Sequence, residues 1–367
     1  MSSQPKKLLM LTTGGTIAGK SARSSAEIGD ESLLIDVLGP AAERLNEEQE
    51  VDVTLDHHPI AHVDSSDIVP EHWGQLIEAI KDNYEPYDGF IVTHGTNTMG
   101  YTCAALSFAL DNLKKPVVVT GSQVPFGLPG SDALINLENA LRVATHQMPT
   151  PIRGVVCVFG SHIIAGTRVK KSTEFDLDAF APSSGSSLGR IGRNIDLNET
   201  NLARHHGYLQ LRRPPAVKTK DLVVKPCFDT QILSFTEFPG MDPDVLEACL
   251  KGLIEREQPL IRAMMFRAFG AGDVSTRLRS CFEYLKKHEI PVVVTTQAPS
   301  GTANFSVNPP GEELRELELA IPAHDMSIEA GTTKLAWLLA QETSYTAMSG
   351  EMLTDRHGEI SWSRDGI

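Results

Sequence analysis

Four short polar clusters carry the residue types that acyl chemistry needs. The first is Thr12-Thr13-Gly14-Gly15-Thr16 and the second is His94-Gly95-Thr96-Asn97-Thr98. The third is Asp64-Ser65-Ser66-Asp67, and the fourth is Gly166-Thr167-Arg168-Val169-Lys170-Lys171. A threonine hydroxyl is a weak nucleophile until a base removes its proton. A lysine acts as that base only when burial or nearby cations depress its pKa. A threonine, a partly desolvated lysine and a polar relay between them therefore form a coherent set for acyl transfer. Gly15 and Gly95 allow tight turns and close approach of backbone to a ligand. Amides opening a helix after Thr98 would cradle a carboxylate. Taken singly, such clusters are more often ordinary turns, and paired lysines more often face solvent.

Positioning these clusters requires strands that end beside them. Apolar runs predict strands at Lys7–Thr13, Gly89–His94, Pro116–Thr120, Gly154–Phe159, Thr230–Phe235, Leu260–Phe266 and Pro291–Thr296. Several are rich in Val and Ile without strict alternation, as in strands buried on both faces. Helical patterns lie between them. Leu246, Cys249, Leu250, Leu253 and Ile254 form one stripe, Tyr101, Ala105 and Phe108 another, and Leu335, Leu338 and Leu339 a third. Pro70 opens a further helix. Alternation of this kind predicts an α/β fold with a largely parallel sheet, and ligand sites in such sheets lie outside the carboxyl ends of the strands. The segment Arg212–Leu222 has paired prolines and four basic residues and reads as a linker. The expected organisation is therefore a larger N-terminal domain over 1–205 with a mostly parallel sheet flanked by helices. A linker over 206–226 and a smaller C-terminal α/β domain over 227–367 follow.

Composition excludes several classes. Over 367 residues, 33 basic and 47 acidic side chains leave a formal net charge of −14. Such a surface repels phosphate backbones and anionic lipid, so neither nucleic acid nor membrane is an expected partner. The 41% hydrophobic content supplies ample material for more than one core. The five cysteines are scattered, without a C-x-x-C pair, which fits a reducing cytoplasm better than a disulfide framework. The apolar run Leu8–Leu11 is too short for a signal-peptide core. Gly14–Ser21 satisfies the phosphate-loop pattern G-x-x-x-x-G-K-[ST], but Ser21–Asp30 has no apolar stripe and reads as a mobile loop instead of the helix such a site needs. His57, His58 and His62 with Asp64 and Asp67 match no standard ligand spacing and read as solvated loop residues, so no metal is expected.

Taken together, the clusters resemble the bacterial-type L-asparaginase family, most closely its cytoplasmic type I branch. TGGTI at Thr13–Ile17 is similar to the first threonine signature, and HGTNTM at His94–Met99 to the second, which normally reads HGTDTM. Tyr87–Phe90, Leu106–Phe108 and Lys115–Gln123 are also similar, and the likeness runs across nearly the whole chain. This resemblance implies roles. Thr16 would attack the side-chain amide carbon and form an acyl-enzyme. Thr96, Lys171 and the residue at 97 would form the proton relay, with water as the final acceptor. Ser65 would hold the substrate α-carboxylate with Ser66 and Asp64 beside it, Gly15 and Gly95 would line the substrate, and amides near Thr96 would stabilise the oxyanion. No metal or organic cofactor is implied, and the expected assembly is a homodimer or homotetramer.

Two positions depart from the family pattern. Asn97 stands where the family has an aspartate that orients the lysine and pairs with the substrate α-ammonium. The family's lid tyrosine is missing, because no tyrosine occurs between Thr16 and Tyr84; on the loop Lys20–Glu27, Arg23 and Glu27 are the candidates for the lid role. Three readings of Asn97 follow: an engineered, weakened enzyme, a substrate without a free α-ammonium, or a binding protein that has lost hydrolysis. One engineered change would not explain two departures, which favours natural divergence. Arg267 resembles an arginine of the type I effector site, but Ala298 stands where a cysteine is expected, which leaves regulation open.

Overall fold

In the computed structural model, residues 5–15, 17, 19–21, 24–28, 34, 38–43, 52–147, 150–206 and 221–361 are described. Among them, eight strands form one mixed sheet: β1 (Lys6–Gly14), β2 (Val53–Val63), β3 (Gly89–Thr93), β4 (Pro116–Thr120), β5 (Gly154–Phe159), β6 (His162–Ala165), β7 (Gly189–Ile191) and β8 (Ile195–Leu197). Their spatial order is β8-β7-β6-β5-β4-β3-β1-β2. The five strands from β2 to β5 run parallel, and β6, β7 and β8 extend the sheet antiparallel. Helices α1 (Pro70–Asp82), α2 (Met99–Ala109), α3 (Ala133–Thr145) and α4 (Glu199–His205) belong to the same part of the chain. Every residue of β3 and β4 is buried, as Val-rich central strands require.

The apolar runs miss β2, as they miss the short strands β6, β7, β8 and Ile321–Pro322. Among the described residues β2 lies at the edge of the sheet, pairs only with β1, and reads Val-Thr-Leu-Asp-His-His-Pro-Ile-Ala-His-Val. An edge strand keeps one side in solvent, so it tolerates the polar residues and Pro59 that a central strand would reject. His57, His58 and His62 therefore sit on a strand, not in a loop. The Tyr101 stripe also proves too narrow a description: α2 is buried almost all round, with Gly100, Ala104, Ala105 and Ser107 inside as well as Phe108.

The second unit is built mainly from residues after 226. Its strands β9 (Ile232–Thr236), β10 (Ala263–Ala268), β11 (Val292–Thr296) and β12 (Ile321–Pro322) lie in that order and are all parallel. Helices α5 (Pro243–Ile254), α6 (Arg279–Lys287), α7 (Pro309–Glu316), α8 (Ile328–Ala340) and α9 (Tyr345–Met352) connect or follow them. Leu246, Leu250 and Ile254 of α5 face its core, whereas Cys249 is exposed. Residues 207–220 of the expected linker lie outside the described residues.

A fully buried ion pair closes this second unit. Lys334 on α8 donates to Glu359 (2.6 Å) and to the carbonyls of Met352 (2.9 Å) and Thr354 (2.6 Å). Glu359 also accepts backbone N–H groups of Arg356 and His357. Burial alone would push its carboxyl up, yet Lys334, His357 and these hydrogen bonds outweigh it and hold Glu359 ionised well below the usual range. Removing one partner leaves a buried charge without its counter-ion. Lys334→Met should therefore lower the unfolding free energy by about 3–5 kcal/mol in urea titrations; a loss below about 1 kcal/mol, the scale of a surface pair, would contradict this.

Candidate active site

β1 lies between β2 and β3, so the chain leaves β1 for one side and returns on the other. Ligands bind at such reversals, outside the carboxyl ends of the strands. Three loops meet there. Gly14 ends β1 and Gly15 follows it, Asp64–Asp67 follow β2, and His94–Thr98 follow β3. Their packing leaves no room for side chains at two positions. Gly15 has φ +83°, and a Cβ there would fall 2.4 Å from the Cα of Gly95. A Cβ on Gly95 would in turn meet Cβ and Oγ of Ser65 at 2.6 Å. Polar contacts lock the same three loops. Gly15 N–H donates to the Val63 carbonyl (3.1 Å), Thr13 Oγ1 to the Thr93 carbonyl (3.0 Å) and Thr98 Oγ1 to the Ser65 carbonyl (2.6 Å). Asp64 caps the turn at Ser65–Asp67 by accepting Ser66 N–H at 2.8 Å.

Lys171 reaches this junction from another direction. After β6 the chain makes a single turn at Gly166–Arg168 and a short antiparallel pair, Val169–Lys171 with Phe180–Pro182. Gly166 lets that turn press on α2, since a Cβ would lie 2.5 Å from Ser107 Oγ. The lysine side chain is only 14% exposed. Its Nζ donates to Thr96 Oγ1 (2.9 Å), to Asn97 Oδ1 (3.0 Å) and to Glu174 Oε2 (2.7 Å). An ammonium has three protons, and here each has an oxygen. Asn97 completes the array by donating Nδ2 to Ser66 Oγ at 3.4 Å. Thr96 is buried and Asn97 exposed.

A buried chain of hydrogen bonds supports the His94–Thr98 loop from below. Trp73 Nε1 donates to Thr102 Oγ1 (3.0 Å), and Thr102 lies 2.8 Å from His94 Nε2. His94 Nδ1 lies 2.7 Å from the Gly95 carbonyl. A carbonyl only accepts, so Nδ1 carries the proton and Nε2 accepts from the Thr102 hydroxyl. Every donor then has an acceptor, and the imidazole is neutral. Burial lowers the His94 pKa to about 4.

Of the residues singled out by sequence, Gly15, Ser65, Ser66, Gly95, Thr96, Asn97 and Lys171 meet at this junction, with Asp64 shaping its turn. Thr16 lies outside the described residues, between the buried Gly15 and Ile17. No helix follows the phosphate-loop match, as expected, but the expected loop is partly strand: Gly19–Ser21 pairs antiparallel with Ser24–Ile28. His57 Nε2 contacts Thr12 Oγ1 at 3.0 Å. Arg267 lies on β10 in the second unit, where its carbonyl accepts Glu237 N–H and Gln297 Nε2. Glu174, His94, Thr102 and Trp73 were not foreseen as a set. Only His94 sat inside a motif, and the i, i+3 spacing of Lys171 and Glu174 is too common to mark a contact.

Hydroxyls, close-packed glycines and a shielded lysine at the carboxyl ends of a largely parallel sheet form an α/β site of the acyl-transfer class, to which amidohydrolases belong. Comparison with known proteins supports this class. Residues 7–203 match the family described as "Asparaginase, N-terminal", and residues 231–352 match "Glutaminase/Asparaginase C-terminal domain". The L-asparaginase 1 of Escherichia coli K12 is 33% identical over 98% of this chain and 99% of its own length. The crystal structure of L-asparaginase I from Vibrio cholerae superposes with a TM-score of 0.81 at 30% identity, covering 98% of this chain and all of the other. One subunit of a glutamyl-tRNA(Gln) amidotransferase, from Sulfurisphaera tokodaii, is more distant, at 26% identity over 99% of this chain and 80% of its own. The chain belongs to the asparaginase family.

Two outcomes follow from the geometry. Gly15→Ala should destabilise the protein by about 2–4 kcal/mol, because it combines a left-handed backbone with an overlap against Gly95. A denaturation midpoint equal to the parent's would contradict that packing. His94 should stay neutral in the folded protein down to about pH 4, read from its Cε1 proton shift by NMR. Its folded pKa lies below the ordinary 6.5, so the unfolded chain takes up the proton first. Stability from this group is complete above pH 6.5 and drains away as pH falls towards 4, by on the order of 3 kcal/mol. A folded-state midpoint near 6.5 would contradict this account.

Proposed function

We propose that the protein hydrolyses the side-chain amide of L-asparagine or a close analogue to the acid and ammonia, through an acyl-enzyme on Thr16. The contact of Lys171 Nζ with Thr96 Oγ1 at 2.9 Å carries this reading. A buried hydroxyl joined to a shielded lysine is a route for moving a proton. In the reaction, Thr16 Oγ attacks the amide carbon, and its proton leaves with the amine as ammonia. The acyl group is then an ester on Thr16. Once Lys171 has given one of its three protons to solvent, Thr96 takes a proton from water as Lys171 takes the proton of Thr96. The hydroxide so formed attacks the ester, and proton return restores Thr16 and releases the acid. Ser65 and Ser66, on the turn capped by Asp64, face Gly95 and Asn97, which suits them to the substrate α-carboxylate. The start of α2 at Met99 adds the positive end of a helix dipole beside the relay.

Asn97 favours a second reading of the substrate. A neutral amide at that position accepts a hydrogen bond from Lys171 but offers no charge to an α-ammonium. A charged hydrogen bond exchanged for a neutral one loses roughly 1–2 kcal/mol. An α-amino-blocked asparagine or a cyclic imide would lose nothing at this position. The same reading makes the protein a cytoplasmic homodimer or homotetramer that needs no metal or organic cofactor, with water as co-substrate. Its five free cysteines fit a reducing compartment.

Ammonia release from L-asparagine and from α-N-acetyl-asparagine separates the two substrates. For an asparaginase, the parent should cleave asparagine, and Asn97→Asp should lower KM about 5- to 30-fold, the equivalent of the lost charge. A parent that cleaves only the blocked amide, with Asn97→Asp giving no gain on asparagine, would establish the second reading. No ammonia from either compound would overturn both.

A further inference from the structure

We propose that Glu174 is the anionic positioning partner of Lys171, supplying from the 172–179 loop the negative charge that position 97 lacks. This inference rests on the hydrolase reading above. Of the three oxygens around Lys171 Nζ, Glu174 Oε2 is the nearest, at 2.7 Å, and alone carries a charge. Thr96 and Asn97 accept hydrogen bonds but cannot balance the positive charge that grows on Lys171 as it takes a proton. A carboxylate placed where charge develops favours that step.

The position of Glu174 is built into the loop. Ser172 and Thr173 N–H donate to the Ala179 carbonyl (2.8 and 3.4 Å), and Ser172 Oγ donates to the same oxygen (3.1 Å). Phe175 N–H donates to Thr173 Oγ1 at 3.3 Å. Gln123 then reaches over from the end of β4, its Nε2 donating to the carbonyls of Glu174 (3.0 Å) and Asp176 (3.4 Å). Gln123 is itself fixed through its backbone N–H, which donates to both oxygens of the buried Asp132 (3.0 and 3.1 Å). The turn that presents Glu174 is thus tied to the core of the sheet, although the carboxylate is 67% exposed. This exposure makes the pair a weak source of fold stability. It also leaves room for the carboxylate without burying a second charge.

Removing the charge while keeping the shape isolates the effect. Glu174→Gln should lower kcat by about tenfold with KM little changed, since the residue positions Lys171 and does not touch substrate. Adding Asn97→Asp to Glu174→Gln returns a carboxylate to Lys171 from the other side, and should restore most of kcat. Unchanged kcat in Glu174→Gln would overturn the proposal. A fall that Asn97→Asp does not rescue would overturn it too, by assigning Glu174 a purely structural role. The Lys171 13Cε chemical shift, compared between parent and Glu174→Gln at one pH, keeps the two readings apart. If the parent cleaves no amide, the hydrolase reading fails, and that shift alone decides on Glu174. A displaced resonance in Glu174→Gln supports the pairing, and an unmoved one refutes it.

Discussion

Three protons on one ammonium set the form of this site. Lys171 divides them among Thr96, Asn97 and Glu174, and those oxygens come from two differently supported pieces of chain. Thr96 and Asn97 sit on the turn after β3, which must be held close enough for a lysine on a distant hairpin to reach. Glu174 sits on that hairpin's own loop, tied back to β4 through Gln123. A lysine in such a position is shielded but not sealed. Shielding keeps its proton from bulk water, and the exposed carboxylate beside it keeps its charge tolerable.

The glycines make that convergence possible. Gly15 and Gly95 allow the turns after β1 and β3 to touch backbone to backbone, and Ser65 fills the space that a side chain on Gly95 would take. Beneath them, Trp73, Thr102 and His94 form a one-way line of hydrogen bonds that ends on the Gly95 carbonyl. This line fixes the loop from the inside without introducing a charge. The hydroxyl of Thr96 is left facing Lys171, where chemistry can use it. Sheet topology supplies the location, glycine packing the closeness, and the buried histidine the rigidity.

Much of this was legible in the sequence, and the rest was hidden for identifiable reasons. Buried parallel strands such as β3 and β4 announce themselves, because a run like Pro-Val-Val-Val-Thr suits few other structures. β2 did not, because an edge strand has no need to be apolar. The resemblance to the asparaginase signatures marked Thr96, Asn97 and Lys171 as a group; the glycine–threonine turns at strand ends pointed only to ligand chemistry. Glu174 carried no such mark. Its contact with Lys171 depends on a hairpin and on Gln123, fifty-one residues earlier, and no local pattern encodes that tie. The buried His94 relay was hidden for the same reason, as Trp73 and Thr102 lie on two different helices.

The central claim is that Lys171 works in the chemical step and does not merely brace the fold. Steady-state ammonia release by Lys171→Met, on whichever amide the parent cleaves best, tests it most directly when the unfolding midpoint is measured alongside. The account predicts a fall in kcat of about a thousandfold, within the range for losing a proton-transfer group, with a midpoint close to the parent's. A variant that stays folded and keeps kcat within about tenfold of the parent, below what such a group contributes, would contradict it.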